Sequence, residues 1–404
     1  MKKAVMYGAG NIGRGFIGAL LSQSGYEVTF VDVAQPVVEA LQSQRRYPVR
    51  YVSNRGYEDI WIENVTAVNG TDTEAVSQII AECDIMATAV GARILKFIVP
   101  NIVAGLRKRW QTGKGSLNII ICENLMDANQ VLEGMLKEQL TQAEQALFDQ
   151  TVGLVEASIG RMVPVQTEEM KDGQPLRVCV ERYGFLPVDK AAFKGQIPTM
   201  PNLVPYEPFG FYIERKLYVH NMGHATCAYL GDLLGLEYIY QAIAVPQIRI
   251  LAQNAMLESA QALAKIYGAD PIDLHSHILD LLHRFGNEAL MDTCQRVGGD
   301  PGRKLSPEDR LIGASRQALK AGITPAYIAL GAAAGLHRYI QEAGMQQTDE
   351  SAYQVLAEVS GLEKEELLTK MILAYYDKIC SGSTLAQLQA FADQVKHESI
   401  GSVV

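Results

Sequence analysis

The chain has 404 residues, of which 48% are hydrophobic and 20% charged, and its formal net charge is −9. This length allows two or three domains with a large core, and the composition is that of a globular protein. The negative charge and the lack of a long basic run argue against nucleic-acid or membrane-surface binding, so an anionic substrate would require a local cluster of cations.

The cysteines are scattered along the chain, without the Cys-x-x-Cys or Cys/His spacing of a zinc site. The six are Cys83, Cys122, Cys179, Cys227, Cys294 and Cys380. We interpret them as reduced thiols and expect a protein without a bound metal. No secretory leader is recognisable, and no run of about 18 apolar residues predicts a membrane span. We therefore expect a cytoplasmic protein with no membrane partner.

The first motif is a glycine turn between a predicted strand, residues 3–7, and a predicted helix, residues 15–23. The turn consists of Gly8, Ala9, Gly10, Asn11, Ile12 and Gly13. In the G-x-G-x-x-G pattern the first glycine permits the tight turn, the second lets the backbone approach a pyrophosphate, and the third lets helix and strand pack closely. The helix N-terminus then offers unpaired N–H groups to phosphates. The sequence therefore predicts a dinucleotide site.

An acidic residue, Asp32, ends the next predicted strand, residues 27–31. Its spacing of about 20 residues from the glycine turn is typical of the carboxylate that binds the adenosine ribose. A carboxylate would repel a 2′-phosphate, so NAD is favoured over NADP. Arg14 and Arg45 are the nearest cations that would favour NADP instead. The structural alternative for Asp32 is a turn residue at the end of a strand.

The following segments continue the α/β pattern. Predicted elements are a helix at 34–48, a β-hairpin within 49–68, a helix at 73–81, a strand at 85–89, a helix at 95–109 and a strand at 117–122. Ala89 and Val90 end one strand with small side chains, where a cofactor can lie close. Asn124 follows another strand, at the edge where parallel sheets bind ligands. It is equally compatible with an N-cap for a helix from residue 125.

Residues 151–190 contain three further predicted strands, at 152–158, 176–181 and 185–188, which we expect to extend the first sheet. The segment 195–210 carries four prolines, which interrupt both helices and sheets. Arg161 lies in a turn-like segment and either faces a cleft or pairs with a carboxylate. We place the domain boundary at this proline-rich segment, with an NAD-binding domain at 1–195 and a second domain at 196–404.

The second domain is helical in pattern almost throughout. Its predicted helices are 212–231, 239–266, 271–285, 308–320, 325–343, 351–358, 363–377 and 383–396. The predicted fold is thus α/β followed by all-α: a Rossmann-type doubly wound sheet with extra strands, then a mostly helical substrate domain, with the site between them.

The first of these helices carries a lysine, an asparagine and a histidine: Lys216, Asn221 and His224. On an α-helix they fall at roughly 0°, 140° and 80°, so all three can point into one cavity. Such a set can take a proton from an alcohol and stabilise the oxygen left behind. The alternative is an amphipathic helix with a solvated polar face. His220 lies in the same arc, and spacing does not choose between the histidines.

A glycine-rich turn at 298–302 precedes three cations, Arg303, Lys304 and Arg310. Backbone N–H groups and cationic side chains in such a turn can bind a phosphate. The alternative is surface charge beside a helix N-cap at 306–308. His275 and His277 lack a carboxylate at metal-ligand spacing, so we interpret them as a solvated helix face.

At this point the sequence resembles the polyol-specific long-chain dehydrogenases over nearly the whole chain. The matching segments are AVMYGAGNIGRGFIG, CENLMDAN and KLYVHNMGHATCAYLG. The last carries the Lys-x-x-x-x-Asn-x-x-His pattern of that family and favours His224 over His220.

The resemblance implies that Lys216 is the general base, that Asn221 and Asn124 donate hydrogen bonds to the substrate oxygen, and that His224 orients the substrate. It implies no metal. The reaction implied is oxidation of D-mannitol 1-phosphate by NAD to D-fructose 6-phosphate. A lysine base must lose its proton, so we expect its pKa to lie toward about 7–8. The resemblance also favours a monomer or a weak homodimer.

Two other functions remain open from the sequence. The first is a dehydrogenase of the same family that acts on a non-phosphorylated polyol or a hexuronate. The second is a regulator that binds NAD without turnover, against which the Lys–Asn–His set argues, because a sensor needs no base.

Overall fold

The structure is a computed structural model that describes residues 1–401, and the chain forms two compact units that part at Gly210. The first unit is α/β with a parallel sheet and the second is mostly helical, as predicted. The division lies later than residue 195 because the strand Leu203–Tyr206 pairs with Leu186–Asp189. The proline-rich segment therefore belongs largely to the first unit.

The strands of the first unit, in chain order, are β1 Lys2–Tyr7, β2 Tyr26–Asp32, β3 Arg46–Ser53, β4 Gly56–Glu63, β5 Val65–Asn69, β6 Ile85–Thr88, β7 Leu117–Ile121, β8 Val152–Glu156, β9 Val178–Val180, β10 Leu186–Asp189 and β11 Leu203–Tyr206. Six of them form a parallel sheet in the order β5-β2-β1-β6-β7-β8. The chain winds outward from β1 in one direction and from β6 in the other, so β1 and β6 define the topological switch point. Ligands bind at the carboxyl ends of strands there.

The predicted strands after residue 151 do not all extend this sheet. Only β8 joins it, beside β7. β9 instead pairs with β3, which also forms a hairpin with β4, and β10 pairs with β11. β9 packs closely against Gly15, and a larger residue would not fit there, because a Cβ would lie 2.8 Å from side-chain atoms of Val178 and Val180. The expectation that all three strands extend one sheet was therefore wrong.

The helices of the first unit cover both faces of the main sheet. They are α1 Ala19–Gln23, α2 Gln35–Gln44, α3 Thr73–Glu82, α4 Leu95–Thr112, α5 Ala128–Lys137, α6 Gln142–Thr151 and α7 Glu168–Lys171, with a π-helical segment Gly13–Gly18 before α1. α2 is shorter than predicted because Arg45 adopts a left-handed conformation, with φ of 52°, and ends it. The predicted hairpin forms between β3 and β4, whereas β5 joins the main sheet.

The second unit begins with a π-helical segment, Arg215–Asn221, between two α-helices. Its α-helices are α8 Gly210–Glu214, α9 Met222–Leu233, α10 Ile239–Ala244, α11 Pro246–Tyr267, α12 Pro271–Phe285, α13 Cys294–Gly298, α14 Pro301–Lys304, α15 Ile312–Lys320, α16 Ala326–Glu342, α17 Asp349–Ser360, α18 Leu367–Cys380 and α19 Leu385–Gly401. The helix predicted at 239–266 is interrupted at Val245, which takes an extended conformation before Pro246.

The alanine- and glycine-rich helix α16 is buried at the centre of this unit, as its composition predicts. Gly331 and Gly335 allow α9 to approach closely, since a Cβ at these positions would meet Thr226 at 2.4 Å and Tyr229 at 2.9 Å. Within residues 1–401 no helix is both long and apolar enough to cross a membrane.

A buried carboxylate, Glu258, fastens the start of α16 and the helix α19. Glu258 exposes 2% of its surface and accepts the N–H groups of Tyr327 and Ile328 at 3.0 and 3.1 Å. The Lys396 ammonium of α19 lies 2.9 Å from the other oxygen of Glu258 and donates to Thr324 O at 2.8 Å. Burial raises the pKa of Glu258 to about 7, although Lys396 acts against the shift. Lys396 thus favours the charged form of this carboxylate, against the effect of burial.

Replacing Lys396 with Met is expected to lower the free energy of unfolding by about 3 kcal/mol at pH 8, because Glu258 loses its partner. The folded state favours protonated Glu258, so the contribution of this group to stability falls as the pH rises from its ordinary pKa of 4.5 toward 7. The penalty should therefore be smaller at pH 6, where the isolated carboxyl takes up a proton. Chemical denaturation at both pH values measures the difference.

Lys370→Met is the matched control, since Lys370 pairs with Glu365 on the exposed surface. We expect a loss of less than about 1 kcal/mol there at either pH. Equal losses for the two variants would contradict the role assigned to Glu258 and Lys396.

Candidate functional site

The glycine turn lies at the switch point of the parallel sheet, between β1 and the π-helical segment Gly13–Gly18. Gly8 has φ of 101°, and a Cβ there would lie 2.5 Å from Ala89 O. A Cβ on Gly13 would lie 1.9 Å from Gly8 O, whereas one on Gly10 would meet no atom within 4 Å. Packing therefore requires glycine at the first and third positions. The open side of Gly10 agrees with its predicted role, the close approach of a pyrophosphate.

Arg14 does not face outward as a candidate ligand of a 2′-phosphate. Its Nε donates to Ala9 O at 2.7 Å, and its terminal nitrogen donates to Leu176 O. The backbone carbonyl of Arg14 accepts a hydrogen bond from the buried Tyr47 hydroxyl at 2.7 Å. Arg14 is therefore part of the scaffold of the turn, which leaves the preference for NAD intact.

Arg161 supports the same segment from the other side. Its guanidinium donates to Gly15 O at 2.7 Å and to Tyr183 O, and lies over the Phe16 ring at 4.3 Å from the centroid. The structure thus places it against the backbone of the π-helical segment.

Asp32 joins the end of β2 to the glycine turn. One carboxylate oxygen accepts the N–H of Ala9 at 2.7 Å and the other accepts the N–H of Ala34 at 2.9 Å. Each oxygen retains a second lone pair, so the same carboxylate can also accept hydroxyl groups of a ribose. Asp32 is therefore a turn residue, and its role as a ribose ligand stays a prediction.

Glu123 is a residue of this edge that the sequence analysis did not select. It exposes 8% of its surface, and its two carboxylate oxygens accept the N–H groups of Val90 at 2.9 Å and Gly91 at 2.7 Å. A carboxylate at the end of β7 thereby holds the loop that follows β6, which contains Ala89 and Val90 of the predicted cofactor site. The sequence signal that could have identified Glu123 is an acidic residue directly after a predicted apolar strand.

Asn124 is exposed in the turn after β7. The helix that follows begins at Ala128, and Asp127 precedes it. The interpretation of Asn124 as an N-cap was therefore wrong, whereas its role as a hydrogen-bond donor to the substrate stays a prediction.

Lys216 and Asn221 both lie in the π-helical segment Arg215–Asn221 and are half-buried. In a π-helix each N–H bonds to the carbonyl five residues earlier, so residues five apart lie nearly one above the other. On an α-helix the same two positions would be about 140° apart. The backbone thus brings the lysine and the asparagine to one face more closely than the sequence predicted.

His224 follows on α9, where two side chains hold its ring. The ring stacks on Phe285 with centroids 4.6 Å apart and planes at 11°. Its Nε2 lies 3.4 Å from a carboxylate oxygen of Asp292, whose other oxygen accepts the Nε–H of Arg296 at 2.8 Å. His220 lies nearby with its ring 6.3 Å from that of His224, but it is buried.

The His224 ring is neutral because of burial and of the cations around it. Burial lowers its pKa to about 3, and the charges of Arg296, Arg310, Arg284 and Lys304 act in the same direction. Burial likewise lowers the pKa of His220, followed by the charge of Arg284. The helical unit therefore presents uncharged imidazole beside a concentration of positive charge.

The three cations of the predicted phosphate site differ in their surroundings. Arg303 is half-exposed and pairs with Asp300 and Asp309, and Arg310 donates its Nε–H to Asp309 at 2.8 Å. Lys304 exposes 4% of its surface, and its ammonium makes no hydrogen bond or ion pair within residues 1–401. Burial, then Arg310 and Arg303, lowers its pKa to about 8. The expected helix start at 308 lies instead at Ile312.

Among the residues that the structure describes, no three His, Cys, Asp or Glu side chains are grouped as a metal would require.

These features define a class: a dinucleotide-binding α/β unit followed by a helical unit that carries a lysine, an asparagine and a neutral histidine. The chain belongs to the mannitol dehydrogenase family, because residues 2–202 match the mannitol dehydrogenase Rossmann domain and residues 209–397 match the mannitol dehydrogenase C-terminal domain. Membership supports NAD-dependent polyol oxidoreduction.

Two solved structures share this fold. A D-sorbitol dehydrogenase in substrate-free form is 16% identical with a TM-score of 0.77, covering 95% of this chain and 94% of that chain. A ternary complex of Pseudomonas fluorescens mannitol 2-dehydrogenase with NAD and D-mannitol is 16% identical with a TM-score of 0.75, covering 97% and 94%. The match to the mannitol dehydrogenase Rossmann domain agrees with the prediction of NAD as the cofactor.

Glu123→Gln tests whether the hydrogen bonds from Val90 and Gly91 to Glu123, which hold the loop after β6, affect cofactor binding. The substitution keeps the size of the side chain but places an NH2 group opposite a backbone N–H. We expect the Kd for NADH to rise about tenfold, because the loop that contains Ala89 and Val90 shifts. Titration of NADH fluorescence measures this change.

Glu144→Gln is the matched control for that experiment, since Glu144 also accepts a backbone N–H, from Thr141, but does so at the start of α6. We expect it to leave the Kd unchanged. An unchanged Kd for Glu123→Gln as well would show that the hydrogen bonds between Glu123 and this loop do not affect cofactor binding.

Proposed function

We propose that the protein oxidises D-mannitol 1-phosphate to D-fructose 6-phosphate with NAD, and catalyses the reverse reduction. The family supports polyol oxidoreduction. The observation that supports a phosphorylated substrate is the group of cations whose charges act on His224: Arg284, Arg296, Lys304 and Arg310. These cations occur together although the chain has a net charge of −9. A neutral polyol needs no such cluster, whereas a phosphate is stabilised by cations in a partly desolvated site.

Within this cluster Lys304 is the proposed phosphate ligand. Its side chain is buried and its ammonium makes no ion pair in the described residues, while Arg303 is taken up by two aspartates. A cation on a buried side chain without a paired carboxylate is partly desolvated, and a phosphate would supply a partner for it. Of the three cations selected from the sequence, Lys304 thus supports phosphate binding most directly, whereas Arg303 and Arg310 both pair with Asp309.

The proposed chemistry assigns a separate task to each polar group of the helical unit. When bound, NAD⁺ supplies the hydride acceptor. Lys216 in its neutral form takes the proton of the substrate hydroxyl, and as an ammonium it returns that proton in the reduction. Asn221 donates an N–H to the developing alkoxide, as Asn124 does by resemblance to the family, and each such donor is worth about 2–4 kcal/mol. His224 orients the substrate without changing its charge.

A second candidate is oxidation of a non-phosphorylated polyol. The observation that favours it is the fold shared with dehydrogenases described as acting on D-mannitol or D-sorbitol. The same family resemblance leaves a hexuronate open as well, whose carboxylate would also suit the cation cluster.

A comparison of substrates tests the proposal. We expect NADH formation with D-mannitol 1-phosphate, and NADH consumption with D-fructose 6-phosphate, at kcat/KM values at least about 100-fold above those for D-mannitol, D-fructose or a hexuronate. Absorbance of NADH measures both directions. Equal specificity constants for phosphorylated and free substrates would refute phosphate recognition.

Lys304→Gln should raise the KM for D-mannitol 1-phosphate about 10- to 100-fold at pH 7 and leave the KM for D-mannitol unchanged. Free Lys304 loses its proton as the pH rises through about 8, so the penalty of the substitution should shrink above that pH. Arg303→Gln is the neighbouring control and should leave the KM nearly unchanged.

Lys216→Ala should abolish turnover while the Kd for NADH stays near the wild-type value, because the variant lacks the group that takes the substrate proton. Stopped-flow absorbance and NADH fluorescence measure the two quantities separately. Activity near that of the wild type would refute the assignment of Lys216 as the base.

A further inference from the structure

We infer that Asp292 is a positioning residue, which holds the proton of His224 on Nε2 so that Nδ1 accepts a hydrogen bond from a substrate hydroxyl. The inference rests on the proposed role of His224 in orienting a polyol, and it identifies the atom of His224 that does so.

The carboxylate of Asp292 is itself held in place. It exposes 7% of its surface, and its Oδ1 accepts the Nε–H of Arg296 on α13 and forms an ion pair with a terminal nitrogen of the same guanidinium. The backbone carbonyl of Asp292 accepts the N–H of Ile239 at 2.9 Å, at the start of α10. The carboxylate and the backbone carbonyl of Asp292 are thus both held by residues of helices, and its Oδ2 lies 3.4 Å from Nε2 of His224.

The ring of His224 has little freedom to turn away from this carboxylate. Phe285 covers one face in a nearly parallel stack. Turning the ring about its Cβ–Cγ bond exchanges the positions of its edges and would break the contact with Asp292. Stack and carboxylate together define one orientation of the imidazole, with Nδ1 on the opposite side of the ring from Nε2.

The charges around the ring determine its protonation. The charges of four cations on other elements lower the pKa of the ring: Arg284 on α12, Arg296 on α13, Lys304 on α14 and Arg310 before α15. His220 and the carboxylate of Asp292 complete the surroundings. Because the cations oppose a positive ring, His224 stays neutral and carries one N–H and one acceptor nitrogen.

Hydrogen-bond chemistry then assigns the two nitrogens. Burial raises the pKa of Asp292 above its ordinary value, although Arg296 acts against the shift. Oδ1 accepts the Nε–H of Arg296 and forms an ion pair with the same guanidinium, as an ionised carboxylate does, and such a group accepts hydrogen bonds but donates none. The proton of the neutral ring is therefore assigned to Nε2, the nitrogen that lies 3.4 Å from Oδ2, and Nδ1 is left as an acceptor. A polyol offers hydroxyl donors along its whole length, and an acceptor at one fixed point selects a carbon that carries a hydroxyl group over one that lacks it.

Three measurements on the full-length protein test this inference. Long-range ¹⁵N–¹H spectra of the protein with ¹⁵N-labelled histidine, assigned by comparison with His224→Gln, should show His224 with its proton on Nε2 from pH 6 to 9. In Asp292→Asn the ring should no longer be held in this tautomer, and kcat/KM for the best polyol substrate should fall about 10- to 100-fold. Steady-state kinetics should place most of this loss in KM.

The third measurement compares two replacements of His224 itself. The amide oxygen of Asn can take the position of Nδ1, whereas the amide of Gln reaches the position of Nε2. His224→Asn should therefore retain more activity than His224→Gln. Glu342→Gln is the matched control for Asp292→Asn, because Glu342 pairs with Arg338 in the same i,i+4 arrangement but on α16, and it should leave kcat/KM unchanged.

A proton on Nδ1, a loss for Asp292→Asn no larger than for Glu342→Gln, or a more active Gln than Asn variant would each overturn the inference. The outcome is separable from that of the proposed function. The spectra report the tautomer without any turnover, and the kinetic comparison uses whichever polyol the protein oxidises fastest.

Discussion

The backbone of Arg215–Asn221 sets the arrangement of the lysine and the asparagine that the helical unit contributes to the proposed chemistry. A bond from each N–H to the fifth preceding carbonyl lengthens the turn, so positions five apart come onto one face. Lys216 and Asn221 have this spacing. The chain returns to α-helical geometry at Met222, and His224 follows within the next turn. In a regular α-helix with the same sequence the lysine and the asparagine would be about 140° apart, so these two side chains would share one face less closely.

A second constraint is the pairing of cations with carboxylates near His224, in a protein with a net negative charge. Carboxylates neutralise some of the cations near His224: Asp309 binds Arg303 and Arg310, and Asp292 binds Arg296. The side chain of Lys304 is buried, and the charges of Arg310 and Arg303 lower its pKa more than Asp300 and Asp309 raise it. The result is a site with a positive potential whose imidazole nevertheless stays neutral, which separates the binding of an anion from the hydrogen bonding of hydroxyl groups.

Local sequence patterns predicted the parts of this protein that local interactions determine. The glycine turn, the strands beside it and most helices follow from residue spacing, since Gly8 and Gly13 are required by contacts close to the turn. The partners of β9 and β10 did not follow, because an apolar run predicts a strand and not its neighbour. The π-helical geometry of Arg215–Asn221 has no comparable signal. Glu123 was missed because its partners are backbone N–H groups of a loop 32 and 33 residues away.

The position of Lys396 has a consequence for the order in which the helical unit can form. Glu258 lies in α11, and its neutralising partner lies in α19, 138 residues further along the chain. During synthesis the middle of this unit therefore emerges with an acidic group that has no counter-charge until the last helix has left the ribosome. In nascent chains that have not reached Lys396, Glu258 should stay protonated or solvated. A truncation before α19 would leave Glu258 permanently without this partner and would destabilise the helical unit.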